Sequence, residues 1–170
     1  MTEWLLLFTS FLLMLACGVF VAAEFAFVTV DRATVDREAA AGDKAAQGTQ
    51  KALRGLSTQL SGAQLGITIT NLAIGFLAEP AIGRLMHEPL TSLGLEGASL
   101  SAASYAIALS LSTFVTMLVG ELIPKNLALA LPLQVAGLTQ LPQRAFTKSM
   151  AWPIRGLNNV ANRTLEWIGV

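Results

Sequence analysis

The feature that most constrains the fold is a run of 20 residues, Leu100 to Val119, without a charged side chain. A helix of this length is about 30 Å long, which matches the hydrocarbon core of a bilayer. Two similar runs precede it: Leu5 to Val30, with Glu24 as its one charge, and the more polar Leu60 to Met86. Only 13% of the chain is charged, against about 25% in soluble domains. The sequence therefore predicts an all-α membrane protein with three transmembrane helices, over about 5–30, 60–86 and 100–123.

The segment 31–59, between the first two runs, has a different composition. It is rich in alanine, is interrupted by glycines, and carries the basic residues Arg32, Arg37, Lys44, Lys51 and Arg54. This pattern predicts a helical hairpin outside the lipid.

Basic residues also predict the orientation, because positively charged loops stay in the cytoplasm. The loop expected after Glu79-Pro80, where we predict the second span to end, carries only Arg84. We therefore expect a multi-pass plasma-membrane protein with its N-terminus outside and its C-terminus in the cytoplasm. The formal net charge of zero provides no basic surface for nucleic acid.

The last part of the chain, about 133–168, combines basic and aromatic residues. Its cationic side chains fall within about one quadrant of a helical wheel: Arg144, Lys148, Arg155 and Arg163. With Trp152 and Trp167 as anchors, the pattern predicts a juxtamembrane belt helix on the inner membrane surface. The alternative is a helix packed against the hairpin.

The third run ends in the hexapeptide Gly120-Glu121-Leu122-Ile123-Pro124-Lys125. Pro124 has no N–H and cannot bond the carbonyl of Gly120, so the helix is expected to be interrupted here. Free carbonyls at membrane depth need protein, water or a ligand, and Glu121 beside them favours a cation. The alternative is a helix end in which Glu121 pairs with Lys125.

Each span contributes polar groups that could meet these oxygens. Glu24 and Thr29 belong to the first span, and Thr68, Thr70 and Asn71 to the second. All are oxygen donors, which suit a hard cation such as Mg²⁺, and two carboxylates could also bind Na⁺ or protons. The interpretation requires Asn71 and Glu121 to face a common cavity. The one histidine, His87, is expected in a loop, so no nucleophile with an adjacent base can be assembled and we expect no enzyme.

Four motifs follow one another along the chain: Ala22-Ala23-Glu24-Phe25-Ala26, Gly42-Asp43-Lys44-Ala45-Ala46, Gln64-Leu65-Gly66-Ile67-Thr68 continuing to Glu79-Pro80-Ala81, and the hexapeptide Gly120 to Lys125. In these motifs and in their order the chain resembles the transmembrane domain of the cyclin M (CNNM)/CorC family of magnesium transporters. The resemblance implies a three-span homodimer with a cytoplasmic hairpin and a belt helix. It also implies a cytosolic CBS-pair domain in the full-length chain, which the present sequence lacks.

The resemblance implies a function, Mg²⁺ efflux, with Na⁺ coupling proposed for some members. Position by position it implies a metal site from Glu24, Gly66, Thr68, Asn71 and Glu121, with Gly120, Pro124 and Lys125 in structural roles. The chain departs from the family at three positions that are often polar in its members: Val21, Ala23 and Ile67. Main-chain carbonyls exposed by the small residues Ala22 and Ala23 are the expected substitutes. Thr29 of the first span is the remaining predicted metal ligand. The alternatives are a dimeric membrane anchor or sensor module for a CBS-type domain, and a transporter of another cation.

Overall fold

The computed structural model describes residues 2–169, and these residues form helices without a β-strand. In chain order the elements are α1 (Thr2–Thr29), α2 (Arg32–Ala40), α3 (Lys44–Leu53), α4 (Leu56–Ser92), α5 (Gly97–Val115), a π-helical segment (Thr116–Leu122, the π segment), α6 (Ile123–Ala130), α7 (Pro132–Ser149) and α8 (Ala151–Ile168).

Three helical stretches are long and apolar enough to cross a membrane: Thr2–Thr29, Leu56–Ser92 and Gly97–Ala130. Large apolar side chains project outward from them, among them Leu72, Phe76 and Phe114. Such exposure is costly in water and neutral in lipid. The predicted all-α class with three transmembrane helices is therefore confirmed.

The loop that the sequence predicts directly after Glu79-Pro80 is wrong. Helix α4 continues to Ser92 and contains both Pro80 and Pro89. A proline removes one backbone hydrogen bond, and helices in membranes tolerate this because neighbouring groups satisfy the freed carbonyl. Only residues 93–96 separate α4 from α5, so the expected loop is mostly helix.

The chain divides into two compact units, which are described separately. The first unit comprises the residues up to Gly18 and Thr68–Pro124. Small residues of α4 and α5 are buried in it, including Ala78, Ala81 and Ala108, and such side chains let helix backbones approach closely. A salt bridge of 3.8 Å joins Arg84 to Glu3.

The second unit comprises Val19–Ile67 and the chain from Lys125 onward. Asp31 and Asp43 cap the N-termini of α2 and α3, which satisfies backbone N–H groups that have no partner inside a helix. The two short helices are joined by a hydrogen bond of 2.8 Å from Gln50 to Asp36. An apolar cluster that includes Phe27 and Val35 fills the interior of this unit.

Two glycines of α4 permit close packing inside the second unit, as a G-x-x-x-G spacing predicts. A side chain at Gly62 would meet Thr147, and one at Gly66 would lie 2.7 Å from the Phe20 ring. That ring also packs on Phe146, with 4.7 Å between ring centroids.

The predicted single helix over 133–168 is two helices, α7 and α8, which meet at Met150. Pro153 accounts for this break, because proline is favoured in the first turn of a helix and disfavoured in its interior. Trp152 and Trp167 of α8 are exposed, and the membrane-surface position of this helix stays a prediction.

Candidate functional site

The structure brings together two of the side chains that the sequence singled out, Asn71 on α4 and Glu121 in the π segment. The Asn71 Nδ2 donates a hydrogen bond of 3.1 Å to Glu121 Oε1. Both residues are partly buried in the first unit. A carboxylate within a membrane-spanning stretch is expensive and by default faces a partner or a water-filled cavity, and here the amide provides one such partner.

Cys17 of α1 is the third member of the cluster, and sequence reasoning did not place it there. Its Sγ donates to Asn71 Oδ1 at 3.3 Å. The two ends of the amide are thus bound to different groups, and this network fixes which end faces the carboxylate. Cys17 and Glu24 are seven residues apart, which is about two helical turns, so they lie on the same face of α1. This spacing is the one signal in the sequence that could have pointed to Cys17.

The π segment supplies further oxygens beside Glu121. At its C-terminal end, the backbone N–H of Ile123 donates a hydrogen bond to the carbonyl of Leu118, five residues earlier. The next donor in the chain would be Pro124, which has no N–H. The carbonyls of Val119 and Gly120, five and four residues before Pro124, therefore cannot accept a hydrogen bond from residue 124. The predicted interruption occurs as a wider helix on the N-terminal side of Pro124, and α6 follows without an open turn.

Close packing holds α1 against this irregular stretch. A side chain at Gly18 would lie 3.4 Å from the Pro124 ring and 3.6 Å from the Val119 oxygen. A side chain at Gly120 would lie 3.7 Å from Cys17 Sγ. Gly120 is buried, and a Cβ at this position would make only ordinary van der Waals contacts.

Asn71 and Glu121 lie on the wall of a cavity of about 350 Å³, the central cavity. Polar and apolar side chains line it on both sides. Asn71, Ile74, Gly75 and Glu79 come from α4, and the opposite side consists of Leu109, Ser112, Thr113, Thr116, Met117 and Glu121. Glu79 also lines the cavity and is absent from the predicted ligand set, because a proline such as Pro80 usually indicates the end of a helix.

The other predicted ligands have different surroundings. Glu24 is half-buried in the second unit, and Ala22 and Ala23 are buried in its apolar cluster. The Thr29 hydroxyl donates to the Phe25 carbonyl at 2.7 Å. In the first unit, Thr68 is exposed and does not belong to the central-cavity lining. Their roles as ligands stay predictions.

Lys125 does not make the ion pair with Glu121 that its spacing predicts. Its ammonium lies 4.7 Å from the centroid of the Phe25 ring, a cation–π contact that is strengthened where water is excluded. Within residues 2–169 there is no cluster of three or more His, Cys, Asp or Glu side chains placed to hold a metal ion.

The helices and the amide–carboxylate pair define a class: a multi-pass, all-α membrane domain with an amide and carboxylates on the wall of a cavity between its spanning helices. The chain belongs to the family described as the cyclin M transmembrane N-terminal domain, whose model matches residues 8–170.

Several bacterial proteins are similar to this chain. It is 38% identical over 109 residues to the UPF0053 protein MT1890 of Mycobacterium tuberculosis, covering 64% of this chain and 24% of that protein. It is 43% identical over 84 residues to the UPF0053 protein YhdT of Bacillus subtilis, covering 49% and 18%. The chain thus spans less than a third of the length of these relatives.

Proposed function

We propose that this chain is the ion-translocating membrane domain of a Mg²⁺ exporter, in which Asn71 and Glu121 hold the cation. The observation that carries the proposal is the 3.1 Å contact between the amide and the carboxylate on the wall of the central cavity. Ionisable groups inside membrane spans mark ion pathways by default, because their burial is otherwise unfavourable. Family membership supports a transporter-like role for a membrane domain of this kind.

The donors around Glu121 suit a small, hard cation. Mg²⁺ takes six oxygens at about 2.0–2.1 Å and normally keeps several waters. Glu121, the Asn71 amide oxygen and the carbonyls of Val119 and Gly120 are oxygen donors, and the cavity has room for waters. Binding by both side chains requires the amide to turn, so that Oδ1 replaces Nδ2 beside the carboxylate.

The remaining parts of the proposal rest on the predicted ligand set. Glu24, with Thr29 and Thr68, would line the route and offer a site for a coupling ion such as Na⁺. The carbonyls of Ala22, Ala23 and Gly66 would supply further oxygens. Lys125 and Pro124 would act structurally, by holding the irregular stretch in place.

We further propose a homodimer joined to a cytosolic CBS-pair domain, with no enzymatic activity and no nucleic-acid partner. The N-terminus would lie outside and the C-terminus in the cytoplasm of a plasma-membrane protein. The exposed basic side chains of α2 and α3 support this orientation through the positive-inside rule.

The test is the thermal unfolding midpoint in detergent, measured with and without Mg²⁺. A cation that binds only the folded state raises this midpoint. We expect Asn71→Ala to abolish the Mg²⁺-dependent increase and the exposed control Asn159→Ala to retain it. An unchanged increase in Asn71→Ala would remove Asn71 from the site. Stabilisation by Mg²⁺ without Mg²⁺ movement in proteoliposomes would favour a membrane anchor or sensor module.

A further inference from the structure

A regular row of residues continues along α4 beyond the Asn71–Glu121 site. Its members are spaced by four, so each is a neighbour of the next on the helix surface and the row winds slowly around α4: Asn71, Gly75, Glu79, Gly83 and His87. The first three line the central cavity. The last three line a second cavity of about 470 Å³, the end cavity, together with Pro80, Arg84, Ser101 and Tyr105.

Helix α5 and the π segment carry a matching row on the opposite side. Its members also follow one another at intervals of four: Ser101, Tyr105, Leu109, Thr113, Met117 and Glu121. Ser101 and Tyr105 line the end cavity, and the other four line the central cavity. The two rows thus face the same pair of cavities along the spanning helices.

Glu79 lines both cavities. It lies eight residues from Asn71 and eight from His87, so it stands about 12 Å along the helix from each. Its side chain is half-buried, and its carboxylate has no hydrogen bond or salt bridge to another residue in the described part of the chain. Arg84, which also lines the end cavity, forms a salt bridge with Glu3. A carboxylate in this environment is unfavourable unless water or a cation reaches it.

We propose that Glu79 is a second cation-binding carboxylate, through which the transported ion passes between the Asn71–Glu121 site and the end cavity. This inference rests on the proposed function, and it adds the route from the central cavity to the end of α4. Successive weak sites allow an ion to enter and to leave, whereas one tight site would retain it. The small residues Gly75 and Gly83 keep the row open on either side of Glu79, since a side chain at Gly75 would meet no atom within 4 Å.

The first test is Glu79→Gln in the protein reconstituted in proteoliposomes, with Mg²⁺ flux and Na⁺ flux measured separately. We expect Mg²⁺ flux to fall by about tenfold or more, because the neutral amide binds a divalent cation far less well than a carboxylate. The Mg²⁺-dependent increase in the unfolding midpoint should persist, since Asn71 and Glu121 are unchanged. Glu88→Gln is the matched control, because Glu88 is an exposed carboxylate of the same helix and should leave both measurements unaltered.

The second test blocks the route without changing a charge. The nearest atom to a side chain at Gly83 is the Ala108 Cβ at 4.0 Å, so Gly83→Leu can place its side chain in the end cavity. We expect this variant to lose Mg²⁺ flux and to retain stabilisation by Mg²⁺, which also shows that it is folded. Gly156→Leu on α8 is the control.

The outcomes separate the two proposals. Normal Mg²⁺ flux in both Glu79→Gln and Gly83→Leu would overturn the route through Glu79 and leave the Asn71–Glu121 site intact. Absence of Mg²⁺ and Na⁺ flux from the unmodified protein would overturn the proposed function and this inference together. Loss of Na⁺ flux alone in Glu79→Gln would contradict a route for Mg²⁺ at this position.

Discussion

The two ends of the Asn71 amide have different partners. Its nitrogen donates to Glu121 and its oxygen accepts from the Cys17 thiol. The thiol therefore holds the amide oxygen away from the carboxylate. A cation shared by Asn71 and Glu121 must displace this arrangement, because metal ions bind the oxygen of an amide.

The first prediction follows from that competition and concerns Cys17. Removing the donor in Cys17→Ala should make the amide easier to turn and should raise Mg²⁺ affinity by about two- to fivefold, the equivalent of one weak hydrogen bond. Cys17→Ser supplies a stronger donor and should lower the affinity. Titration of the unfolding midpoint with Mg²⁺ measures both. Equal affinities in the two variants would show that Cys17 does not position the amide.

The second prediction separates packing from metal binding at Gly66. The Cβ of Gly66→Ala would lie 2.7 Å from the Phe20 ring, so the ring must move, and overpacking of this kind costs about 1–3 kcal/mol. We expect a lower unfolding midpoint and an unchanged response to Mg²⁺. Gly156→Ala, where a Cβ meets no atom within 4 Å, is the control and should be neutral or stabilising by up to about 1 kcal/mol. A normal midpoint in Gly66→Ala would contradict the packing of Gly66 against Phe20.

At the scale of the element, the π segment is the irregularity on which the site depends. Seven residues, Thr116–Leu122, take this wider helical form between α5 and α6. Stretches of π-helix occur often at functional sites, and here the segment carries Glu121 and ends at Leu122, two residues before Pro124.

The third prediction is therefore made for Pro124→Ala. The new N–H can bond the carbonyl of Gly120 or Val119, which favours a regular α-helix through the site. We expect a higher unfolding midpoint without Mg²⁺ and a weaker response to Mg²⁺, since backbone oxygens are then engaged. Pro132→Ala is the control, because Pro132 begins α7, where a missing N–H costs nothing. A stronger Mg²⁺ response in Pro124→Ala would contradict the role assigned to these carbonyls.

The fourth prediction concerns the start of α2, which is capped by Asp31. The hydroxyl and backbone N–H of Thr34 donate to its carboxylate at 2.6 and 2.9 Å, and these hydrogen bonds lower the pKa of Asp31 below its ordinary value of about 3.9. Because the pKa is lower in the folded state, the cap stabilises α2 above that ordinary value. The contribution is lost as the pH falls through the lowered pKa.

NMR titration of the Thr34 amide resonance tests this prediction. We expect one acidic transition with a midpoint below about 3.9 in the unmodified protein and no such transition in Asp31→Asn, which keeps an acceptor oxygen at the cap. A midpoint above the ordinary value would contradict the sign of the effect.

At the scale of the whole molecule, hydropathy was sufficient to predict the helical class and the three spans, because backbone groups in lipid must be satisfied within a helix. Individual prolines were harder to interpret. Pro80 and Pro89 lie within α4, whereas Pro124 follows a π segment, and nothing local to these residues distinguishes the cases. The difference depends on tertiary contacts, such as the packing of Gly18 against Pro124.

The candidate site could be predicted only in part. Asn71 and Glu121 were identifiable because an amide and a carboxylate are unusual in apolar runs. Cys17 and Glu79 were missed, since a thiol is common in protein interiors and Glu79 was assigned to a helix end. Whether these two side chains reach the site depends on how α1, α4 and α5 pack against one another in the first unit. The hydrophobic periodicity of one helix does not specify which neighbouring helix it will face.

The most direct test of the central claim is a crystal structure of the protein with Mn²⁺ as a heavier substitute for Mg²⁺. Anomalous scattering locates the ion independently of any assumption about its ligands. We predict a peak in the central cavity within about 2.3 Å of a Glu121 carboxylate oxygen and of the Asn71 Oδ1, close to the usual distances for hard cations. Peaks confined to exposed carboxylates such as Asp36, with Asn71 still donating to Glu121, would contradict the account.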